Sequence, residues 1–217
     1  MLPTDEYYIQ KLIDEGEHVH QDFKFAISDA RKIAKSISAF SNTEGGRLLV
    51  GVKDNGKIAG VRSEEEIYMI EAAAKMYCTP EVNISNKIFR VQGKDVLEVS
   101  IEESKNKPVC AIDENNKSWA YVRINDENIL ADTVFLNRWK HNKQEEKVIV
   151  TYSEREKYLL DILSKNKELT LNQCSRLSRI PRITTSRLLA DFIRFDLVEQ
   201  IFREHTFYFR LKEENTK

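Results

Sequence analysis

Five of the chain's seven glycines fall between residues 39 and 61, in AFSNTEGGRLLVGVKDNGKIAGV: Gly45, Gly46, Gly51, Gly56 and Gly60. A glycine-poor chain that gathers its backbone freedom in one stretch uses it in one of two ways. Backbone amides cradle a phosphate, or strands and turns approach each other too closely for a Cβ. A phosphate loop needs GxxxxGK[ST], because its lysine and hydroxyl meet the phosphates and the magnesium. Here Arg47 follows Gly46, and neither that motif nor GxGxxG occurs in the chain. The second use therefore governs. Gly45-Gly46 ends a helix and opens a strand, and RLLVGV (47–52) is an apolar run of strand length covered on both faces. Asn55-Gly56 is a hairpin signal with KIAGV returning beside it, while Gly51 and Gly60 relieve crowding between neighbouring strands.

The surrounding pattern is mixed. A helix is predicted around Thr4–Asp14 and a strand over VHQDFKFA. A second helix, capped by Ser28, carries Ile33, Ile37 and Phe40 at helical spacing, with Ala30 and Ala34 small enough to let it lie close to a sheet. Ser63-x-x-Glu66 reads as a capping box for a helix to about Tyr77, ended by Thr79-Pro80. Strands follow at VNIS, KIFRV, VLEVSI and WAYVRI, with turns at Gln92-Gly93 and Asp113–Lys117. Helices and strands alternate without a strict βαβ repeat, so the class is α+β.

HNKQEEK (141–147) is polar and lacks apolar periodicity, which places a boundary there. The reading is a first domain over 1–140, a linker over 141–150 and a second domain over 151–217. The second domain begins with Ser153-x-x-Glu156 as a capping box and a helix bearing Tyr158, Leu159, Ile162 and Leu163 on one face. A short helix capped by Thr170 turns Leu171, Cys174 and Leu177 inward. Pro181 opens a third helix whose Ile183, Leu188 or Leu189, Phe192 and Ile193 face the core. LVEQIF and TFYFRL then pair across Arg203-Glu204-His205.

Net charge is only −1, yet it is uneven: −4 over residues 1–150 and +3 over 151–217. Within 170–194, Arg176, Arg179, Arg182, Arg187 and Arg194 meet Asp191 alone. A local basic face is what a nucleic-acid contact requires, whatever the total charge. Cys78, Cys110 and Cys174 are far apart and form no CxxC pair, so neither a disulfide framework nor a zinc site is indicated. No run approaches the roughly 18 apolar residues of a membrane span, and MLPTDEYYIQ is unlike a secretory signal. A cytoplasmic protein with no membrane partner is expected.

The glycine-rich stretch resembles the core signature of the Schlafen-type AlbA-like domain, a family expected to bind nucleic acid. Glu17, Asp22-Phe23-Lys24, Lys107-Pro108 and Tyr121-Val122-Arg123 match the family's other elements, so the resemblance spans about residues 15–132. It implies an AlbA-like mixed α/β first domain. Bacterial relatives are often joined to a helix–turn–helix and described as transcriptional regulators or ATP-binding proteins, and these residues add nothing to the ATP label. Eukaryotic Schlafen relatives include RNA-cleaving proteins that use acidic residues in this region. Carried over by motif, those positions are Glu17, Asp22 and Asp54, which could hold Mg or Mn for a nuclease acting on RNA or single strands. Two departures weigh against that. Asp22 stands where glutamate is usual, and Schlafen nucleases build their cleft from two such units. Positions 17 and 22 also converge only if the chain bends between them. His18 and His20 would share a strand face, a pair more often solvent-facing than metal-binding. No cofactor is otherwise called for.

The order helix, short helix, turn, longer helix, hairpin over 153–211 resembles a winged helix–turn–helix. In that arrangement Arg182, Thr184, Thr185, Ser186 and Arg187 belong to the groove-facing start of the recognition helix, with Arg176 and Arg179 at the backbone and Arg203 or His205 in the wing. Lys24, Arg47, Lys53 and Lys57 are the first domain's candidate contacts, with dimer assembly or signal sensing as its other roles. The expectation is a nucleic-acid-binding protein: a regulator on double-stranded DNA, with RNA as a further partner and a homodimer to multiply few contacts per copy.

Overall fold

Thr4 opens the first helix, α1 (Asp5–Glu15), by accepting the Tyr7 amide at 3.3 Å, and α1 buries Ile9 and Leu12. The computed structural model describes residues 4–142 and 153–212. Along the chain follow β1 (Gln21–Lys24), α2 (Ala30–Asn42), β2 (Gly46–Val50), α3 (Glu64–Met76), β3 (Cys78–Thr79), β4 (Ile84–Val91) and β5 (Lys94–Ile101). Then come β6 (Cys110–Ile112), β7 (Ser118–Ile124) and β8 (Glu127–Leu130). One sheet has the order β1-β2-β5-β4, with β1 and β2 parallel and the other pairs antiparallel. A second, antiparallel sheet has the order β3-β6-β7-β8. The class is α+β, as the interspersed pattern implies.

β2 is central, and its period-two alternation serves two cores. Leu48 and Val50 join Ile33, Ile37 and Phe40 of α2, while Leu49 joins Ile9, Leu12, Phe23 and Phe89 on the α1 side. From Ser36 to Asn42 every residue of α2 is buried. Small serines and alanines allow that, because a helix enclosed this far must approach its neighbours closely. Polar groups so enclosed need partners. Asn42 Nδ2 donates to Val109 O (2.7 Å) and Tyr121 O (2.9 Å), while its Oδ1 accepts the Val109 amide at 2.7 Å. Ser38 donates to Val109 O, and Thr43 Oγ1 accepts the Arg123 amide. The polar half of SNTEGG therefore fastens the end of α2 to the second sheet.

Several sequence expectations shift. Asp29, not Ser28, caps α2, its Oδ1 accepting the Arg31 and Lys32 amides. Ile84 and Ser85 of VNIS merge with KIFRV into the single strand β4, and Val82 and Asn83 stay outside it. The Asn55-Gly56 turn forms, but KIAGV makes one bridge, Val52 to Ile58, instead of a strand. The reason is topological: β1 and β5 already occupy both edges of β2. Gly51 turns the chain away at φ +89°, and an added Cβ there would sit 2.8 Å from the Gly60 carbonyl carbon. The expected capping box at Ser63 is also absent. Glu66 is 3% exposed, and its carboxylate instead accepts the amides of Arg62 (2.8 Å) and Ile27 (2.9 Å), holding two loops to the start of α3.

The described residues divide into two compact units between Ala131 and Asp132. The sequence reading carried the first domain to 140. Instead α4 (Thr133–Asn142) belongs to the second unit, because Val134 is fully buried in that unit's core and the Phe135 ring packs on Phe207 at 5.6 Å. Of the linker expected at 141–150, residues 141 and 142 end α4, and 143–150 lie outside the described residues. The second unit continues with α5 (Glu154–Ser164), β9 (Leu169–Thr170), α6 (Leu171–Ser178), α7 (Arg182–Arg194), β10 (Val198–Arg203) and β11 (Thr206–Leu211). Capping boxes form at Ser153/Glu156 and Thr170/Gln173. The strands order as β10-β11-β9. Leu159, Leu163, Cys174, Leu189 and Phe209 fill the core. Tyr158, Leu177 and Ile183, expected inside, are 50%, 41% and 69% exposed.

Candidate nucleic-acid interface

The turn from α6 to α7 is set by two residues. Arg179 takes a left-handed conformation at φ 56°, and Ile180 is buried in the core, so the chain pivots before Pro181 starts α7. Thr185, Leu189 and Phe192 lie at helical spacing and all face inward. Arg182, Ile183, Arg187 and Arg194 consequently face outward, with Thr184 half-buried. Arg182 Nε donates to Asn172 Oδ1 at 2.9 Å, which holds its guanidinium near the start of α6. Arg176, Arg179 and Arg187 are exposed, and among the described residues no acidic side chain pairs with them.

Two expected contacts are turned away. Thr185 is fully buried, its hydroxyl donating to the Ile180 and Pro181 carbonyls at 3.2 Å each. Ser186 is 2% exposed, donates to Ile183 O and accepts from Asn137 Nδ2 at 3.0 Å. Neither hydroxyl can meet a ligand without unfolding the helix. The 185, 189, 192 spacing carried that signal in the sequence. Arg203 is exposed but engaged, paired with Glu168 and lying over the Tyr208 ring at 5.3 Å.

In the first unit the chain does bend between Glu17 and Asp22. His18 and Gln21 form an antiparallel bridge, so Glu17 folds back, and its Oε1 accepts the Phe23 amide at 2.8 Å. Burial, and next the hydrogen bond to Asp22, push the Glu17 carboxyl above the usual carboxylate range. Asp22 is 3% exposed. Arg123 Nη2 lies 3.4 Å from its Oδ1, and Lys24 Nζ lies 2.6 Å from Oδ2 without hydrogen-bond direction. Asp54 sits in the exposed turn after β2 and does not join them. Among the described residues no three His, Cys, Asp or Glu side chains gather closely enough to hold a metal ion. The same bend takes His18 and His20 off a strand face, although their rings still meet edge-on at 6.1 Å. His18 Nδ1 accepts the His20 amide, and His20 Nε2 lies 3.3 Å from Glu44.

The first unit's expected cations differ in availability. Arg47 is held by Glu98 (3.5 Å), which also accepts from Tyr8 at 3.0 Å, and Lys24 is held by Asp22. Lys53 and Lys57 are exposed. Lys53 Nζ lies 5.0 Å from the centre of the Phe25 ring, and Arg62 Cζ lies 4.6 Å from it. Phe25 and Arg62 escaped the sequence reading, and Arg123 entered it only within a family element, with no role assigned. The signal for Phe25 was an aromatic directly after Lys24, where the strand leaves the core. The signal for Arg123 was a charge inside the apolar strand WAYVRI. Nothing in the sequence pointed to Arg62. Cys78 and Cys174 are core fillers, and burial pushes their thiols up to about 12.

The family model described as Schlafen, AlbA_2 matches residues 17–132. Two solved structures are similar at 20% identity over 57% of this chain. One is the DIP2311 protein of Corynebacterium diphtheriae, with a TM-score of 0.42 and 24% of that chain covered. The other is the N-terminal domain of a RecG-related protein of Nitrosomonas europaea, with a TM-score of 0.43 and 90% covered. This chain thus spans about a quarter of the first and nearly all of the second. No curated protein matches it. No helix among the described residues is long and apolar enough to cross a membrane. With the family model covering more than half of its length, the chain belongs to the Schlafen AlbA_2 family.

Proposed function

We propose that this protein binds nucleic acid and acts as a DNA-binding transcriptional regulator in the cytoplasm, its second unit serving as a winged helix–turn–helix. The observation that carries the reading is the outward face of α6 and α7. Arg182 and Arg187 project with Thr184 from the start of α7, and Arg176 and Arg179 flank them without acidic partners among the described residues. A helix presented in this way suits the major groove. Arginine reads guanine bidentately or grips phosphate, and the flanking guanidiniums follow the backbone. Thr185 and Ser186 hold the helix in place and contact no base. A homodimer on paired half-sites makes up for the few contacts of one copy. Duplex binding measured against salt tests this. Arg182→Ala with Arg187→Ala weakens binding and lowers the slope of log affinity against log salt by about 1.8, at about 0.9 per phosphate contact. Unchanged binding by the double variant overturns the assignment.

A second reading, a metal-dependent nuclease on RNA or single strands, draws on the convergence of Glu17 with Asp22. It requires cleavage in magnesium or manganese that Glu17→Gln abolishes. Intact substrate after incubation with excess metal removes it. Asp22→Ala is a poor probe, since it also strips the buried Arg123 of its counter-charge.

A further inference from the structure

We propose that the first unit carries a separate site for unpaired bases, built on Phe25, Lys53 and Arg62. Phe25 follows β1 directly, and Lys53 lies just beyond the end of β2. Because β1 and β2 are parallel, both residues emerge at the same, carboxyl end of the pair. Arg62 is brought there by Glu66, whose carboxylate holds the Arg62 and Ile27 amides. The ring of Phe25 is 40% exposed with two cations over it, at 5.0 and 4.6 Å. An exposed ring gains little in water, and this one is not packed into either core of the unit. Among the described residues no carboxylate pairs with Lys53, Lys57 or Arg62. The acidic groups nearest in sequence are Asp54, exposed in the same turn, and Glu64, at the start of α3.

Aromatic ring, guanidinium plane and ammonium groups together are the chemistry that holds single-stranded nucleic acid. A base has a π-face whatever its identity, so it stacks on the ring or the guanidinium, while the adjoining phosphates meet Lys53 and Lys57. A duplex cannot use the platform, because its bases are already stacked on one another. The site is distinct from the α7 surface, which suits duplex, and the two fail separately.

The test uses the full chain and fluorescently labelled oligo(dT), oligo(U) and a mixed-sequence duplex, followed by anisotropy. Phe25→Ala weakens single-strand binding about tenfold, in the range of one lost base–aromatic stack, and leaves duplex binding unchanged. Phe25→Trp retains single-strand affinity, and its fluorescence is quenched on binding. Lys53→Ala with Arg62→Ala lowers the single-strand salt slope by about 1.4, at about 0.7 per contact. Arg182→Ala with Arg187→Ala does the reverse, losing duplex and keeping single strands. The oligo(dT) and oligo(U) arms show which sugar the site accepts. Single-strand binding by Phe25→Ala within twofold of the native protein on both probes, with an unchanged circular-dichroism spectrum, overturns the proposal. So does an equal loss on single strands and duplex.

Discussion

Arg123 of β7 reaches across from the second sheet to Asp22 of β1, its Nη2 3.4 Å from Asp22 Oδ1, with both side chains almost wholly buried. The guanidinium is satisfied throughout: Nη2 also donates to Gln21 O at 3.1 Å, Nη1 to Asn128 Oδ1 at 3.0 Å, and the group lies over the Phe40 ring at 5.1 Å. Two elements that match the family pattern, Asp22-Phe23-Lys24 and Tyr121-Val122-Arg123, are therefore one structural clamp between two sheets.

Removing Asp22 strands the buried Arg123 charge, and removing Arg123 leaves the buried Asp22 with only the partly exposed Lys24 as counter-charge among the described residues. Arg123→Met is expected to cost about 3 kcal/mol in urea unfolding, as for other buried pairs broken on one side. Arg123→Met with Asp22→Asn should recover part of the loss, a coupling that a double-mutant cycle reads directly. Additive single effects would show that the pair is not coupled.

The raised Glu17 carboxyl gives stability a pH dependence of definite sign. A folded-state pKa above the ordinary glutamate value of 4.5 means the folded protein holds this proton more tightly than the unfolded chain. That contribution is complete below about pH 4.5 and is lost as pH rises through the folded value. Glu17→Gln keeps a neutral group that accepts the Phe23 amide, so it should be the more stable protein at pH 7, with the difference shrinking toward pH 4. Thermal melts of both proteins across that range check this. A difference that grows on acidification contradicts it.

The hydroxyls of α7 separate stability from binding. Thr185→Ala and Ser186→Ala each remove a buried hydrogen-bonded group and should lower stability by about 1 kcal/mol, with little change in duplex affinity per folded molecule. Arg187→Ala should do the opposite, leaving the melting temperature within error and weakening duplex binding. Melting curves and anisotropy on the same preparations decide between the two behaviours.

Much of this molecule was already present in local chemistry. Ile33, Ile37 and Phe40 announced α2, Gln92-Gly93 the turn between β4 and β5, and Ser153-x-x-Glu156 and Thr170 the starts of α5 and α6. Each depends on a few neighbouring residues, through helical period, positive φ or a cap, so the sequence suffices. The glycine cluster was likewise legible as a helix–turn–strand, because a missing phosphate-loop lysine is visible without coordinates.

What tertiary structure decided was competition for partners. KIAGV could not pair as a strand because β5, from more than 40 residues onward, had taken the edge of β2. Glu66 left its cap for two loop amides, α4 went to the second unit because Val134 and Phe135 found their core there, and Arg47 lost its freedom to Glu98. The meeting of Phe25, Lys53 and Arg62 is of the same kind. Hydrogen-bonding groups and charges are satisfied by whichever neighbour the fold delivers, and linear order carries no record of which neighbour that is.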